Sequence, residues 1–139
     1  MKVSAKGDYA CRALLDIVIH DRDDKPVRIH DIADRQDISV KFLEHILASL
    51  KEAGILRSIR GVCGGYHLGR KASSISVMDV LSAVDESLLE IRCSGGKCTT
   101  EERCVFQRVW NDANAEITRF LGTVTFDSLA DDHRIKTEI

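Results

Sequence analysis

Cys93, Cys98 and Cys104 carry the most distinctive chemistry in this 139-residue chain, lying at C-x4-C-x5-C spacing within the stretch IRCSGGKCTTEERCVF. Thiolates are soft ligands that suit iron-sulfur clusters and zinc, and Gly95 and Gly96 fall where the chain must wrap around whatever the sulfurs hold. Three sulfurs leave one coordination position open. A closed structural zinc site takes four protein ligands, and a ferredoxin-type carrier supplies four cysteines with a shorter C-x2-C step in the set. The plain alternative is three unligated thiols in a polar loop. Two cysteines lie outside the stretch: Cys11, in an apolar helical pattern, reads as a small core residue, and Cys63 as an exposed loop thiol open to oxidants. His20, His30, His45, His67 and His133 form no H-x-E or H-x3-H pattern, so nothing suggests a catalytic zinc.

The elements that must position these thiols belong to a modest chain, 44% hydrophobic and 30% charged, able to bury one core. No apolar segment approaches the roughly 20 residues that span a bilayer, and the N-terminus lacks an apolar run with a small-residue cleavage site. A cytoplasmic protein without membrane contact is expected, and in that reducing compartment five cysteines argue against a disulfide framework. No phosphate-binding glycine loop, nucleophile motif or paired catalytic acids appear, so an enzyme is not expected. The net charge of −2 hides an asymmetry, because residues 1–71 hold 13 Lys and Arg against 10 Asp and Glu, and residues 72–139 hold 7 against 12. The front half is the side that can meet a polyanion.

Helical periodicity places Ala10, Ala13, Leu14, Ile17 and Val18 on one face of a first helix over roughly residues 5–20. DRDDKPV breaks it with charge and the single proline. IHDIADRQ makes a short second helix, and after a turn at QDIS, Ser39 is the expected N-cap of a third. Its apolar stripe comprises Phe42, Leu43, Ile46, Leu47 and Leu50, and Gly54 supplies the stop. Two short helices around a tight turn form a helix-turn-helix. ILRSIR and GYHLGR then read as two strands joined by GVCG, whose glycines permit a tight tip. A helix-turn-helix followed by a basic hairpin is a winged helix, with the start of the third helix suited to the major groove and Arg60 to the minor groove or a phosphate. Such shapes also occur as plain packing, and the glycine-rich basic wing is what favours DNA.

Past the wing, SISVMDVLSAVDE gives a helix from about Ser76. CVFQRVWNDANAEITRFLG then carries Phe106, Val109, Trp110, Ala113, Ile117, Phe120 and Leu121 at steps of three and four. That long stripe exceeds what a local core can cover, and pairing with a second copy would bury it, the alternative being its own domain. A last helix is expected from Thr125, with HRIKTEI as a frayed tail. The fold class expected is mainly α: a winged helix-turn-helix over 1–71, then 72–139 with a helix, the cysteine loop at 91–104 and a long C-terminal dimerisation helix.

Together KGDYACRALLDI, DIADRQDIS, FLEHILASLKEAGIL, SIRGVCGGYHLGR, ISVMDVLSAVDE and the three-cysteine loop resemble the IscR-like family of bacterial transcription regulators over residues 1 to about 131. The resemblance implies a homodimeric regulator, such as a repressor, binding a palindromic double-stranded DNA operator. It also implies an iron-sulfur cluster, of the 2Fe-2S kind with 4Fe-4S as the alternative, held by Cys93, Cys98 and Cys104 and sensing redox state, nitric oxide or cluster supply. Departures from the pattern bear on the fourth ligand. The members most like IscR carry a histidine three residues after the last cysteine, where this chain has Gln107, and they space the first two cysteines one residue further apart. Gln107 is then a group behind the ligands, and similarity to the nitric-oxide-sensing NsrR relatives points to Asp8, given from the partner subunit. An ordinary helix-start carboxylate is the other reading of Asp8, and Glu101, Glu102, His133, water or a small thiol are other sources.

For DNA the family pattern matches Ser39, Val40 and Lys41 at the start of the third helix and Glu44 one turn on, where a carboxylate accepts from cytosine N4 or repels a phosphate. Lys6, Tyr9 and Arg60, with the backbone at Gly61, Gly64, Gly65 and Tyr66, match phosphate or minor-groove contacts. Readings from other classes are a DNA-binding regulator using the thiols for zinc or direct redox sensing, and an electron carrier or cluster scaffold.

Overall fold

Ser4 starts the first helix of the computed structural model, which describes residues 1–89 and 104–138, by accepting the Gly7 N–H on its hydroxyl at 3.1 Å. Helix α1, Ala5–His20, then buries Ala10, Ala13, Leu14 and Ile17 completely, as its apolar spacing requires. Helix α2, Ile29–Gln36, ends in Asp37 with left-handed backbone at φ 53°, and Ile38 seals the turn from below. Helix α3, Val40–Glu52, begins at Ser39, whose hydroxyl accepts the Phe42 N–H at 3.2 Å. Leu43, Ile46, Leu47 and Leu50 are fully buried, but Phe42 is not part of that stripe. It turns outward and meets Tyr9 of α1 edge to face, with ring centroids 5.6 Å apart.

Strands β1, Leu56–Ile59, and β2, Gly65–Leu68, pair antiparallel with Leu56 opposite Leu68 and Ile59 opposite Gly65. Val27, just ahead of α2, adds a one-residue third edge by exchanging two backbone hydrogen bonds with Tyr66, at 2.9 and 2.8 Å. The hairpin is tied to α1 as well. Asp21 at the end of that helix accepts from the buried His67 Nδ1 at 2.5 Å and from the Leu68 N–H at 3.0 Å.

A single 3-10 turn, Ala72–Ser74, leads to α4, Val77–Ala83, opened by a reciprocal capping box between Ser76 and Asp79. Helix α5 spans Val105–Thr123, and α6 spans Phe126–Thr137. Phe126 of α6 joins the core cluster formed by α1, α3, Ile75 and Val80, and Ala130 is buried one turn on. The stretch HRIKTEI, expected to fray, continues α6 through Thr137. Arg134 pairs with Asp131 at 3.1 Å and the Thr137 hydroxyl donates to the His133 carbonyl at 3.1 Å, while Arg134 and Lys136 suit the negative end of the helix dipole. The architecture is thus mainly α, a winged helix-turn-helix with a two-stranded wing and a long C-terminal helix.

Candidate nucleic-acid interface and cysteine site

The turn between α2 and α3 exposes Ser39, Lys41 and Glu44, with Val40 half-buried. Ser39 uses its hydroxyl as the helix cap, so the N-terminal end of α3 is held open to solvent with its first turn ordered. Glu44 faces the wing: burial first, and then the Glu44 charge, push the Tyr66 phenol above its ordinary range. Arg60 and Gly61 are exposed at the wing tip. Gly61 has φ 114°, and a side chain on Gly64 would strike the Ile59 carbonyl, so the tip requires glycine at both. Gly65 and Tyr66 follow as the half-buried start of β2.

Sequence periodicity alone did not single out Arg28 or His30. Both are exposed at the start of α2 and line, with Arg60, Gly64 and Tyr66, an open cleft of about 430 Å³ between that helix and the wing. Arg28 stands at the N-cap position and makes no side-chain cap hydrogen bond, so α2 starts beside a hollow lined by cationic side chains. No local sequence signal marks Arg28 or His30, because the cleft exists only where the wing packs beside the start of α2. On α1, exposed Lys6 and half-buried Tyr9 sit in the first two turns. Arg12 lies over the Tyr9 ring at 5.8 Å and donates to the Gln36 carbonyl at 3.1 Å, so the Tyr9 face is braced against the helix-turn-helix turn.

Of the three clustered thiols the structure places Cys104, a half-buried residue at the N-cap of α5 with its carbonyl accepting the Gln107 N–H at 3.2 Å. Gln107 is half-buried in the next turn. Cys93, Cys98, Glu101 and Glu102 lie outside the described residues. Asp8 is on the first turn of α1 with its side chain 57% exposed, and its partner is Arg12 at 3.6 Å. Among the described residues no three His, Cys, Asp or Glu side chains converge on one point. Of the donors that could hold a metal group, the described residues contain the Cys104 thiol at the start of α5 and the exposed Asp8 carboxylate on α1. His133 instead lines a hollow with His20, Arg35 and Gln36. Cys11 is pushed up to about 11, by burial first and then by Asp8 and Glu86, which keeps it a neutral thiol; Cys63 is exposed at the wing tip.

Helix α5 has no buried residue. Val105, Phe106, Val109, Trp110 and Phe120 are 43 to 75% exposed, and the Phe106 and Trp110 rings stack with centroids 6.2 Å apart. Among the described residues no helix is long and apolar enough to cross a membrane.

The model of the Rrf2 family, described as iron-dependent transcriptional regulators, matches residues 3–132. The chain is 40% identical over 136 residues to the HTH-type transcriptional regulator IscR of Vibrio vulnificus, covering 97% of this chain and 80% of that one. The same protein from Xenorhabdus nematophila is also 40% identical, with 97% and 82% covered. Among solved structures, T. potens IscR superposes with a TM-score of 0.77 at 32% identity, over 96% of this chain and 88% of that one. The oxidized form of Staphylococcus aureus CymR gives 0.74 at 27%, over 94% and 96%. A winged helix whose first-turn residues, wing glycines and cysteine-led C-terminal helix fall in this order along the whole match is a DNA-binding transcription regulator and not an enzyme, and the chain belongs to the Rrf2 family of iron-dependent transcriptional regulators.

Proposed function

We propose that the protein is a homodimeric, sequence-specific transcription regulator whose operator binding is controlled by an iron-sulfur cluster held by Cys93, Cys98 and Cys104. The observation that carries this reading is α5: it opens at Cys104 and leaves an unburied apolar stripe along its length. A second copy packed on that stripe brings two cysteine sites and two α1 helices to one interface. Asp8, accessible on α1, is the fourth ligand offered to the partner, and Gln107 lies behind Cys104. The bound cluster, 2Fe-2S or 4Fe-4S, would supply a charge at the interface that redox change or nitric oxide removes. Residues 1–71 then form the DNA-binding region and 72–139 the sensing and pairing unit.

In this reading Ser39, Val40, Lys41 and Glu44 present the start of α3 to the major groove of a palindromic operator. Lys6, Tyr9, Arg60 and the backbone at Gly61, Gly64, Gly65 and Tyr66 take phosphate or minor-groove positions. Arg60→Ala is expected to weaken operator binding about tenfold and to reduce the salt slope by about one. An unchanged affinity across a salt series would remove Arg60 from the interface.

The decisive test is anaerobic purification followed by a visible spectrum and counts of iron and acid-labile sulfide per protomer. Sulfide-to-iron charge-transfer bands with matching counts are expected, lost in Cys98→Ser and made labile in Asp8→Ala. A colourless protein after attempted reconstitution would reject the cluster and leave zinc or direct thiol chemistry, for which exposed Cys63 offers a second reactive sulfur.

A further inference from the structure

The cap that starts α1 is assembled from two distant parts of the chain. In a capping box the N-cap hydroxyl accepts from the N–H three residues on, and a glutamate at that third position reaches back to the N-cap N–H. Ser4 makes the first half, but the third position is Gly7, which has no side chain to reach back with. Glu86 makes the second half from 82 residues away. Its Oε1 accepts the Ser4 N–H at 2.9 Å and its Oε2 accepts the Ser4 hydroxyl at 2.5 Å. A Cβ on Gly7 would lie 3.1 Å from Cδ and Oε2 of Glu86 and from Cδ2 of Leu81, so a side chain there would crowd the carboxylate. Beside this contact, the Lys2 N–H donates to the Leu88 carbonyl at 3.2 Å.

Glu86 is aimed by the end of α4. Asp85 adopts left-handed backbone at φ 55°, its N–H donates to the Ser82 carbonyl at 3.2 Å, and the Glu86 N–H donates to the Leu81 carbonyl at 2.9 Å. The two Ser4 hydrogen bonds, opposed by some burial and helped by Lys6, hold the Glu86 carboxyl below its ordinary value, so it is anionic at neutral pH. For the cap alone, a glutamate at position 7 would supply the same acceptor from within the helix. What the split cap adds is a link between the chain that runs into the cysteine stretch, seven residues ahead of Cys93, and the turn of α1 that bears Asp8 and is followed by Tyr9.

We infer that Glu86 is a positioning residue: through Ser4 it joins segment 84–89 to the first turn of α1, so that a displacement of that segment is carried to Asp8 and Tyr9. The inference rests on the cysteine-sensor reading and deepens it. The test compares wild type, Glu86→Ala, and Glu86→Ala with Gly7→Glu, which rebuilds the cap within α1 but leaves segment 84–89 unattached. In hydrogen exchange on the full chain, Glu86→Ala should speed amides 4–8 and 84–89 together by about tenfold. The double variant should restore 4–8 and leave 84–89 fast. Operator affinity is then measured with the cluster loaded and stripped. The wild-type ratio should collapse toward one in both variants, although the double variant recovers a wild-type helix. Glu86→Gln, which keeps an acceptor for the Ser4 N–H, should retain most of both readouts. Exchange at 4–8 unaffected by Glu86→Ala, or a wild-type affinity ratio in the double variant, would overturn the joint. A wild type that binds equally loaded and stripped would sink the sensor reading, and the paired exchange response would then decide the joint by itself.

Discussion

Trp110→Glu is expected to leave the protomer folded and to convert it to a monomer at micromolar concentration. Trp110 and Phe106 are large, 43% and 60% exposed, and stacked on each other in a helix whose Ala113, Ile117 and Leu121 are half-buried and none of whose residues is fully buried. A helix of this length reaches about 28 Å, enough for a stripe that contributes to an interface of ordinary size when a second copy supplies the matching stripe. In a two-fold interface each substitution is met twice, so two carboxylates lose water without a partner. Dimer dissociation should therefore rise by at least about a hundredfold, from hot-spot losses of several kcal/mol per aromatic anchor. A monomer meets one half-site instead of two spaced about 34 Å apart, so operator affinity should fall by a similar factor. Light scattering and a thermal melt separate the outcomes. A monomer mass with a cooperative melt supports pairing through α5, and a wild-type mass at the same concentration rejects it. Arg108→Ala, at a side chain 89% exposed whose ion-pair partner Asp112 is also exposed, serves as the control and should change neither mass nor binding.

The winged helix was legible in the sequence because its signals are local. Ala10, Ala13, Leu14 and Ile17 recur at helical spacing and are buried together, Ser39 caps α3 as its residue type suggests, and Gly54 ends that region at φ 77°. Phe42 was misplaced because it adjoins the stripe of Leu43 and Ile46, and only the nearness of Tyr9 on another helix gives it an outward partner. The continuation of α6 was hidden by a polar composition; its helix is anchored by Phe126 at the start and supported toward the end by the Arg134–Asp131 ion pair and the Thr137 hydroxyl bonded to the His133 carbonyl. The cysteine spacing raised the expectation of a ligand site whose first two thiols lie outside the described residues, while Arg28 and His30 became visible only when the wing folded over the start of α2. Least legible was the Ser4 to Glu86 cap, since nothing local marks a glutamate that completes a helix 82 residues earlier.

Arg35→Ala is expected to be among the most destabilising single changes outside the apolar core, costing about 3 to 4 kcal/mol and more than Asp16→Ala. Asp16 sits on the buried face of α1 with its side chain 1% exposed. Arg35 Nε donates to its two oxygens at 3.2 and 2.9 Å and Nη2 donates at 2.7 Å, while Gln36 Nε2 adds a fourth hydrogen bond at 3.0 Å. The Asp16 hydrogen bonds raise the Arg35 guanidinium above its ordinary value. The partners are not equivalent, because the Arg35 side chain is 36% exposed and regains water if the carboxylate is removed. Removing Arg35 instead strands a charge in the interior, with Gln36 as its remaining side-chain donor among these contacts. Asp16→Ala should thus cost nearer 2 kcal/mol, and the double alanine variant should resemble Asp16→Ala, recovering roughly 1 to 2 kcal/mol relative to Arg35→Ala alone. Urea unfolding at fixed protein concentration measures the cycle, with an unchanged slope required for the comparison. Equal and additive losses would show that the pair acts as two independent contacts. The functional consequence follows from position: Arg35 and Gln36 form the last turn of α2, so releasing them frees the Asp37 turn and the Ser39 cap that aim α3. Operator affinity in Arg35→Ala should accordingly fall further than the unfolded fraction accounts for, and a loss that tracks unfolding alone would mean the pair holds the fold without steering the recognition helix.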